Sequence, residues 1–131
     1  ETIGADCLAT SVDAGSLQTL PAITSVAKSL GAASPSPRVL KMALSRYGLV
    51  RPWRTSDEFA VRACVKMADD HRVLVEPACG AALSAVYGGP NGACEALDGM
   101  EGDGPVVVEV CGGAIVDRGT LAAYAAQFGI E

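Results

Sequence analysis

The feature that most constrains the fold is an apolar run, residues 106–110, that ends in Cys111 and a glycine pair, Gly112 and Gly113. Such a run is typical of a buried parallel strand that turns at once toward a helix. Ligands of open α/β sheets bind beyond the carboxyl ends of the strands, where glycines let a ligand approach the backbone closely. Two interpretations stay open from this pattern alone. The Cys111 sulfur contacts a ligand, or the segment is an ordinary strand-to-helix turn with a small buried cysteine.

Two amphipathic helices are predicted in the middle of the chain. The first begins at Pro37 after a capping Ser36 and ends before Gly48. Its apolar face holds Val39, Leu40, Ala43, Leu44 and Tyr47. The second follows Thr55-Ser56-Asp57-Glu58, which has the spacing of a capping box with Thr55 as the cap. Its predicted buried face holds Phe59, Ala60, Ala63, Cys64 and Met67.

A third such helix is predicted near the end of the sequence, capped by Asp117. Its inward stripe holds Leu121, Tyr124, Ala125 and Phe128. These helices alternate with apolar strand-like runs at residues 73–75 and 106–111. That alternation predicts an α/β fold with a mostly parallel sheet.

Composition excludes several classes of function. A net charge of −5 gives no basic surface for nucleic acid, and no apolar run reaches the ~18 residues of a membrane span. The five cysteines are odd in number and contain no Cys-x-x-Cys pair, so neither a disulfide framework nor a zinc site is indicated. We therefore expect a protein of the reducing cytoplasm. Half of the residues are hydrophobic, which suits a piece that packs against more protein.

Three separated motifs resemble those of the serine dehydratase family. They are Leu20-Pro21 with Ile23-Thr24-Ser25-Val26-Ala27-Lys28-Ser29-Leu30-Gly31, then Glu76-Pro77-Ala78-Cys79-Gly80-Ala81-Ala82, and then Cys111-Gly112-Gly113. The opening Glu1-Thr2 and Gly4-Ala5 supports the same match. The resemblance spans nearly all 131 residues but covers only the C-terminal part of a family member.

The resemblance implies a pyridoxal-phosphate enzyme with a tryptophan synthase β-like fold. Residues 1–131 would be the C-terminal portion of its large domain, a mostly parallel three-layer α/β sheet structure. The activity implied is removal of water from L-serine, giving pyruvate and ammonia, with L-threonine giving 2-oxobutanoate. The family's Schiff-base lysine and phosphate-binding loop lie in an N-terminal part that is absent here, and Lys28 does not match that lysine. We therefore expect no catalytic residue in this chain, and a partner in the missing N-terminal part, on the same or a second chain.

The resemblance also assigns cofactor contacts. Cys111 matches the family cysteine at the pyridine nitrogen, and Gly112 and Gly113 would keep the backbone clear of the ring. A thiol is a weak partner, so it should not hold that nitrogen protonated as a carboxylate does. Ala114-Ile115 stand where the family tends to have Ser-Asn, which removes polar support behind the ring.

The roles of two acidic residues near these motifs are left open. Glu109 interrupts the apolar run and should point to the same side as Cys111, because strand side chains alternate. It could tune the site, pair with an arginine or lie exposed at a sheet edge. Glu76 could position the segment beneath the cofactor or belong to a structural turn in which Cys79 is filler.

The resemblance finally implies a monovalent cation, usually potassium, and a homodimer. The matching ligands are the Glu1 carboxylate and the carbonyls of Ala5, Leu30 and Ala32. Cys7 stands where the family has a serine oxygen, and sulfur is a poor ligand for a hard cation. A non-catalytic scaffold or regulatory fragment derived from the same fold is the alternative to an enzyme.

Overall fold

The computed structural model describes residues 1–45, 50–88, 96–97 and 104–131. Within these ranges the chain forms five α-helices and one 3₁₀ turn, Lys28–Leu30. The helices are α1 Cys7–Ala14, α2 Pro37–Ser45, α3 Asp57–His71, α4 Pro77–Tyr87 and α5 Arg118–Gln127. Tyr47, Gly48 and Cys94, together with most of the glycine-rich segment between Gly88 and Gly104, lie outside the described residues.

The N-cap of helix α3 lies one residue later than predicted. The Ser56 hydroxyl accepts a hydrogen bond from the Phe59 amide at 3.2 Å, so Ser56 is the N-cap and the prediction of Thr55 was wrong. The reason is tertiary, because the Thr55 backbone is paired with residues 1–3. Its amide donates to the Glu1 carbonyl at 2.9 Å and its carbonyl accepts from Ile3 at 3.0 Å. Cys64 is fully buried on this helix, as predicted.

Helices α2 and α5 begin where the sequence predicts. In α2, Leu40 and Ala43 are buried, but Val39 is 45% exposed, so the predicted apolar face was too wide. In α5, the Asp117 carboxylate accepts a hydrogen bond from the Thr120 amide at 2.7 Å, which confirms the predicted cap. Leu121 is buried, and Tyr124 and Phe128 pack against the core.

The core lies where α3 and α4 pack together. Gly80 of α4 allows the two backbones to approach, since a Cβ built on it would lie 2.0 Å from the Ala60 carbonyl oxygen and 2.6 Å from the Cys64 sulfur. The buried cluster around this contact comprises Val61, Ala63, Cys64, Val75, Cys79, Leu83, Val116 and Leu121. Helix α4 is therefore held against α3 from its first turn onward.

The predicted parallel sheet is not seen in the part of the chain that the structure describes, where the only bridges are isolated ones, Thr2 with Ala5 and Thr2 with Thr55. Residues 107–111 nevertheless keep the alternation of a strand. Val108 and Val110 pack against the core, whereas Val107 is 87% exposed. The expected burial of this run was thus wrong for one of its two faces, because no neighbouring strand among the described residues covers it.

No helix in the described ranges is both long and apolar enough to cross a membrane.

The α3–α4 contact predicts a contrast between two glycines. Gly80→Ala should lower the free energy of unfolding by about 1–3 kcal/mol, because its methyl group would collide with backbone of α3. Gly119→Ala in α5 is the matched control, since its added Cβ meets only the Asp117 carboxylate at 3.5 Å. It should stabilise by roughly 0.5–1 kcal/mol. Urea unfolding measures both, and equal midpoints for the two variants would contradict the close approach at Gly80.

Candidate functional site

The turn after residues 106–111 is built from two glycines with left-handed backbone. Gly112 has φ +94° and Gly113 has φ +149°, values that other residues rarely adopt. The Gly112 carbonyl accepts two hydrogen bonds from the start of α4, from the Glu76 amide at 3.2 Å and from the Cys79 thiol at 3.1 Å. The first turn of α4 therefore fixes the position of the residue that follows Cys111.

The two glycines serve different purposes. A Cβ on Gly113 would lie 2.6 Å from a Glu76 carboxylate oxygen, so the Glu76 side chain occupies the space beside this residue. A Cβ on Gly112 would meet nothing within 4 Å, so Gly112 leaves open space instead. The other Glu76 oxygen accepts a hydrogen bond from the Ser29 hydroxyl. Glu76 thus connects the glycine turn to the 3₁₀ turn that carries Ser29.

Cys111 itself is exposed, and its thiol donates a hydrogen bond to the Glu109 carboxylate at 3.5 Å. The two side chains share one face of the segment, as strand alternation predicts, and Glu109 is exposed rather than buried. The hydrogen bond to Glu109 raises the pKa of the Cys111 thiol, and the negative charge of Glu109 adds to the effect. Cys111 therefore presents a protonated thiol on an open surface.

The structure groups the three predicted cofactor contacts with residues that the sequence reasoning had missed or undervalued. Cys79 is more than filler, because its thiol donates a hydrogen bond to the Gly112 carbonyl. No sequence motif indicates a role for Ser29, whose hydroxyl donates to Glu76. The available signal was the position of Glu76 and Cys79 at the start of a helix preceded by the apolar residues 73–75. In a parallel sheet such a position lies at the same edge as the end of residues 106–111.

The predicted cation ligands fall into two segments. Both oxygens of the Glu1 carboxylate accept hydrogen bonds from the first turn of α1, from Leu8 at 3.1 Å and Ala9 at 2.8 Å. Cys7, at the start of that helix, is buried, and burial together with the Glu1 charge raises the pKa of its thiol. A protonated thiol does not suit a hard cation. The Glu1 carboxylate thus serves as an acceptor for α1.

The remaining predicted ligands are backbone carbonyls. Ala5 is fully buried beside α1, whereas Leu30 and Ala32 lie at the end of the 3₁₀ turn. The Leu30 carbonyl accepts a hydrogen bond from the Ala32 amide at 2.7 Å. Among the described residues, no group of three or more His, Cys, Asp and Glu side chains could hold a metal ion.

Burial separates the thiols into two classes. Cys7, Cys64 and Cys79 are buried, and burial raises the pKa of Cys64 to about 12. Cys111 is the exposed member of the four described thiols.

Alkylation of the 131-residue chain should separate these classes. At mildly alkaline pH, iodoacetamide should modify Cys111 first, and Cys7, Cys64 and Cys79 only after unfolding, as read by peptide mass mapping. Glu109→Gln should speed the reaction of Cys111 by about threefold, because losing the carboxylate lowers the thiol pKa and increases the thiolate fraction. Glu58→Gln on α3, which removes an exposed carboxylate paired with Arg62, should leave that rate unchanged. A slower reaction in Glu109→Gln would contradict the contact.

Comparison with known proteins agrees with the resemblance read from the motifs. L-serine dehydratase/L-threonine deaminase of Bos taurus is 40% identical over 138 residues, covering 100% of this chain and 40% of that protein. Serine dehydratase-like of Homo sapiens is 43% identical, covering 98% of this chain and 39% of that protein. The chain thus spans about two fifths of the length of the curated relatives it matches.

A solved structure gives the same result. The crystal structure of a fungal L-serine ammonia-lyase from Rhizomucor miehei superposes with a TM-score of 0.84 at 32% identity, over 98% of this chain and 39% of that one. The family described as pyridoxal-phosphate dependent enzyme matches residues 1–112, which include Glu76, Cys111 and Gly112. This chain belongs to the family of pyridoxal-phosphate dependent enzymes.

Proposed function

We propose that these residues form part of an L-serine dehydratase that converts L-serine to pyruvate and ammonia. The observation that carries the proposal is the exposed Cys111 thiol followed by two positive-φ glycines in a chain of this family. The names of the relatives, L-serine dehydratase/L-threonine deaminase, support the same substrate class. By the same names, L-threonine, giving 2-oxobutanoate, is proposed as a second substrate.

The residues present fit a flat heteroaromatic ring. Gly112 leaves open space beside Cys111, since an added Cβ there would meet no atom within 4 Å. The thiol is exposed, and its one proton, which contacts Glu109 in this structure, would be donated to a ring nitrogen instead. Cys111 would contact the nitrogen, and Gly112 and Gly113 would lie beside the ring. The backbone that follows Cys111 is held in place, because the Gly112 carbonyl accepts hydrogen bonds from the Glu76 amide and the Cys79 thiol.

Pyridoxal phosphate, when bound, supplies the electron sink for the elimination. This chain would orient that group through Cys111 and through the turn that Glu76 fixes. Lys28 is exposed on the 3₁₀ turn and is not proposed as the lysine that binds the cofactor. That lysine, the phosphate-binding loop and the small domain are proposed to lie in the remaining three fifths of the protein, on the same or a second chain.

The open faces of two segments support this division. Val106 and Val107 are 55% and 87% exposed, and Val73 and Leu74 are 44% and 38% exposed. We expect strands of the N-terminal part to cover these side chains and complete a tryptophan synthase β-like, three-layer parallel sheet. A homodimer and a cytoplasmic location remain predictions from the sequence.

We also propose that a potassium ion binds at this site. Its ligands would be the Glu1 carboxylate and the backbone carbonyls of Ala5, Leu30 and Ala32. Its support is the carboxylate of Glu1 and the clustering of Glu1 and Ala5 near the start of α1. Cys7 is left out of the proposed ligand set, because its buried, protonated sulfur does not suit a hard cation.

Because the reactive lysine is proposed to lie outside these residues, we predict that the 131-residue chain releases no ammonia from L-serine by itself. Adding pyridoxal phosphate should produce no lysine-linked absorbance band, whereas the full-length protein should show the band and release pyruvate and ammonia. Coupled pyruvate and ammonia assays measure both. Ammonia release by the isolated chain would refute the proposed place of the lysine. A full-length protein with neither band nor turnover would favour a non-catalytic scaffold.

The cation proposal predicts that Cys7→Ser tightens the binding of potassium. A hydroxyl oxygen suits the ion where sulfur does not, so the potassium concentration for half-maximal activity should fall by about fivefold, equivalent to roughly 1 kcal/mol. Cys64→Ser, a second buried thiol on α3, is the control and should not change that concentration. If the unaltered protein and both variants have the same half-maximal potassium concentration, the ion does not bind at this position.

A further inference from the structure

The four proposed potassium ligands lie on two segments that are far apart in the sequence. Two of them belong to the opening segment, residues 1–5, and the other two belong to the loop of residues 23–32. The affinity and selectivity of a site for a hard cation depend on the size and flexibility of its set of oxygen ligands. The contacts that fix the distance between these two segments therefore decide how well the ion fits.

The opening segment is attached to the start of α3 through its backbone. The Ile3 amide donates a hydrogen bond to the Thr55 carbonyl at 3.0 Å, and the Thr55 amide donates to the Glu1 carbonyl at 2.9 Å. Thr55 lies two residues before Asp57, the first residue of α3. The residues that begin this helix therefore set the position of the opening segment.

The loop of residues 23–32 is attached to the same helix start by the Asp57 carboxylate. One of its oxygens accepts a hydrogen bond from the Ser25 hydroxyl at 2.5 Å, and the other accepts from the Val26 amide at 3.0 Å. The 3₁₀ turn, Lys28–Leu30, follows directly after these residues. Asp57 thus holds the loop just before its proposed ligands.

A buried chain of hydrogen bonds joins the two attachments. Because the Ser25 proton goes to Asp57, the Ser25 oxygen is the acceptor in its 2.7 Å contact with the Thr2 hydroxyl, and it also accepts from the Ala27 amide at 2.9 Å. Thr2 and Ser25 are 0% and 1% exposed, so water does not replace a lost partner there. Removal of the carboxylate leaves one hydroxyl proton of this pair without an acceptor and loosens the contact between the segments.

The two segments also touch directly at Gly4. Its φ is +88°, and a Cβ built on it would lie 2.2 Å from the Thr24 hydroxyl oxygen, so a glycine is required for this approach. The Thr24 amide donates a hydrogen bond to the Gly4 carbonyl at 3.1 Å. The opening segment and the loop therefore form one unit at the start of α3.

We infer that Asp57 is a positioning residue for the potassium ion, because its hold on Ser25 and Val26 sets the distance between the two ligand segments. This inference rests on the proposed function, which places the ion between Glu1 and the carbonyls of the loop. Asp57 acts at one remove from the ion, since its two oxygens face the loop. Loss of groups that orient metal ligands in this way commonly weakens metal binding by about ten- to a hundredfold.

Calorimetric titration of the full-length protein with potassium chloride, at an ionic strength held constant with tetramethylammonium chloride, measures the effect without turnover. Asp57→Ala should weaken potassium binding by about tenfold, because the loop carbonyls are no longer held at a fixed distance from the opening segment. Glu58→Ala is the matched control. It removes an exposed carboxylate that pairs with Arg62 in the same first turn of α3, and it should leave potassium affinity unchanged.

The ratio of potassium to sodium affinity separates positioning from a general loss of stability. A ligand set with a fixed spacing fits one size of ion, so Asp57→Ala should reduce this ratio by about threefold. A variant that is only less stable would keep the ratio of the unaltered protein. The same titration with sodium chloride gives the second affinity.

Ser25→Ala gives a second measure with a smaller change of structure. The Val26 amide keeps its acceptor on Asp57, so potassium binding should weaken by about threefold, less than in Asp57→Ala. Adding Asp57→Ala to Ser25→Ala should cost less than Asp57→Ala costs alone, because the two residues act through one contact.

Unchanged potassium affinity and selectivity in Asp57→Ala would overturn the inference. If Glu1→Gln still weakens potassium binding in that case, the proposed ion site stands and only the role of Asp57 fails. If the unaltered protein binds no potassium, or if Glu1→Gln binds it equally well, the proposed ion site and the inference fail together. Conversion of serine, assayed separately, then decides the rest of the proposed function.

Discussion

The contact between α3 and α4 at Gly80 is the constraint on which the rest of the described structure depends. Because Gly80 has no side chain, the α4 backbone lies directly on the Ala60 carbonyl and the Cys64 sulfur. That contact fixes the first turn of α4, from which the Glu76 amide and the Cys79 thiol reach the Gly112 carbonyl. A residue 32 positions further along the chain is thereby held in place by the packing of two helices that precede it.

The segment that ends at Cys111 is packed on one face and exposed on the other. Val108 and Val110 pack into the core, and the Gly112 carbonyl has two donors. The opposite face carries Val107, Glu109 and Cys111, all exposed. Such a segment suits a protein in which more chain covers the open face, and the relatives are long enough to supply it. The same openness leaves the Cys111 sulfur exposed in this chain.

The sequence nominates three residues of the candidate site, but it does not reveal the contacts that hold them in place. Cys111, Gly112 and Gly113 were identified because a familiar order of motifs points to them, and the left-handed backbone agrees with the choice of glycine. The Cys79 thiol and the Ser29 hydroxyl escaped prediction, because each acts over a sequence separation of more than 30 residues. Local sequence patterns predict helix periodicity and caps, but they do not predict contacts between residues so far apart in the sequence.

The sequence by itself determined three of the five described helices, α2, α3 and α5. Pro37, the serine and acidic residues before Phe59, and Asp117 place their starts to within a residue, because capping and helix periodicity are local. Only the tertiary structure decided which residue caps α3, since pairing of Thr55 with the opening residues transfers that role to Ser56. It also decided that Val39 and Val107 lie exposed, and that Glu76 packs beside Gly113. These outcomes depend on which other segments are present to pack, and a strand pattern without a neighbouring strand forms no sheet.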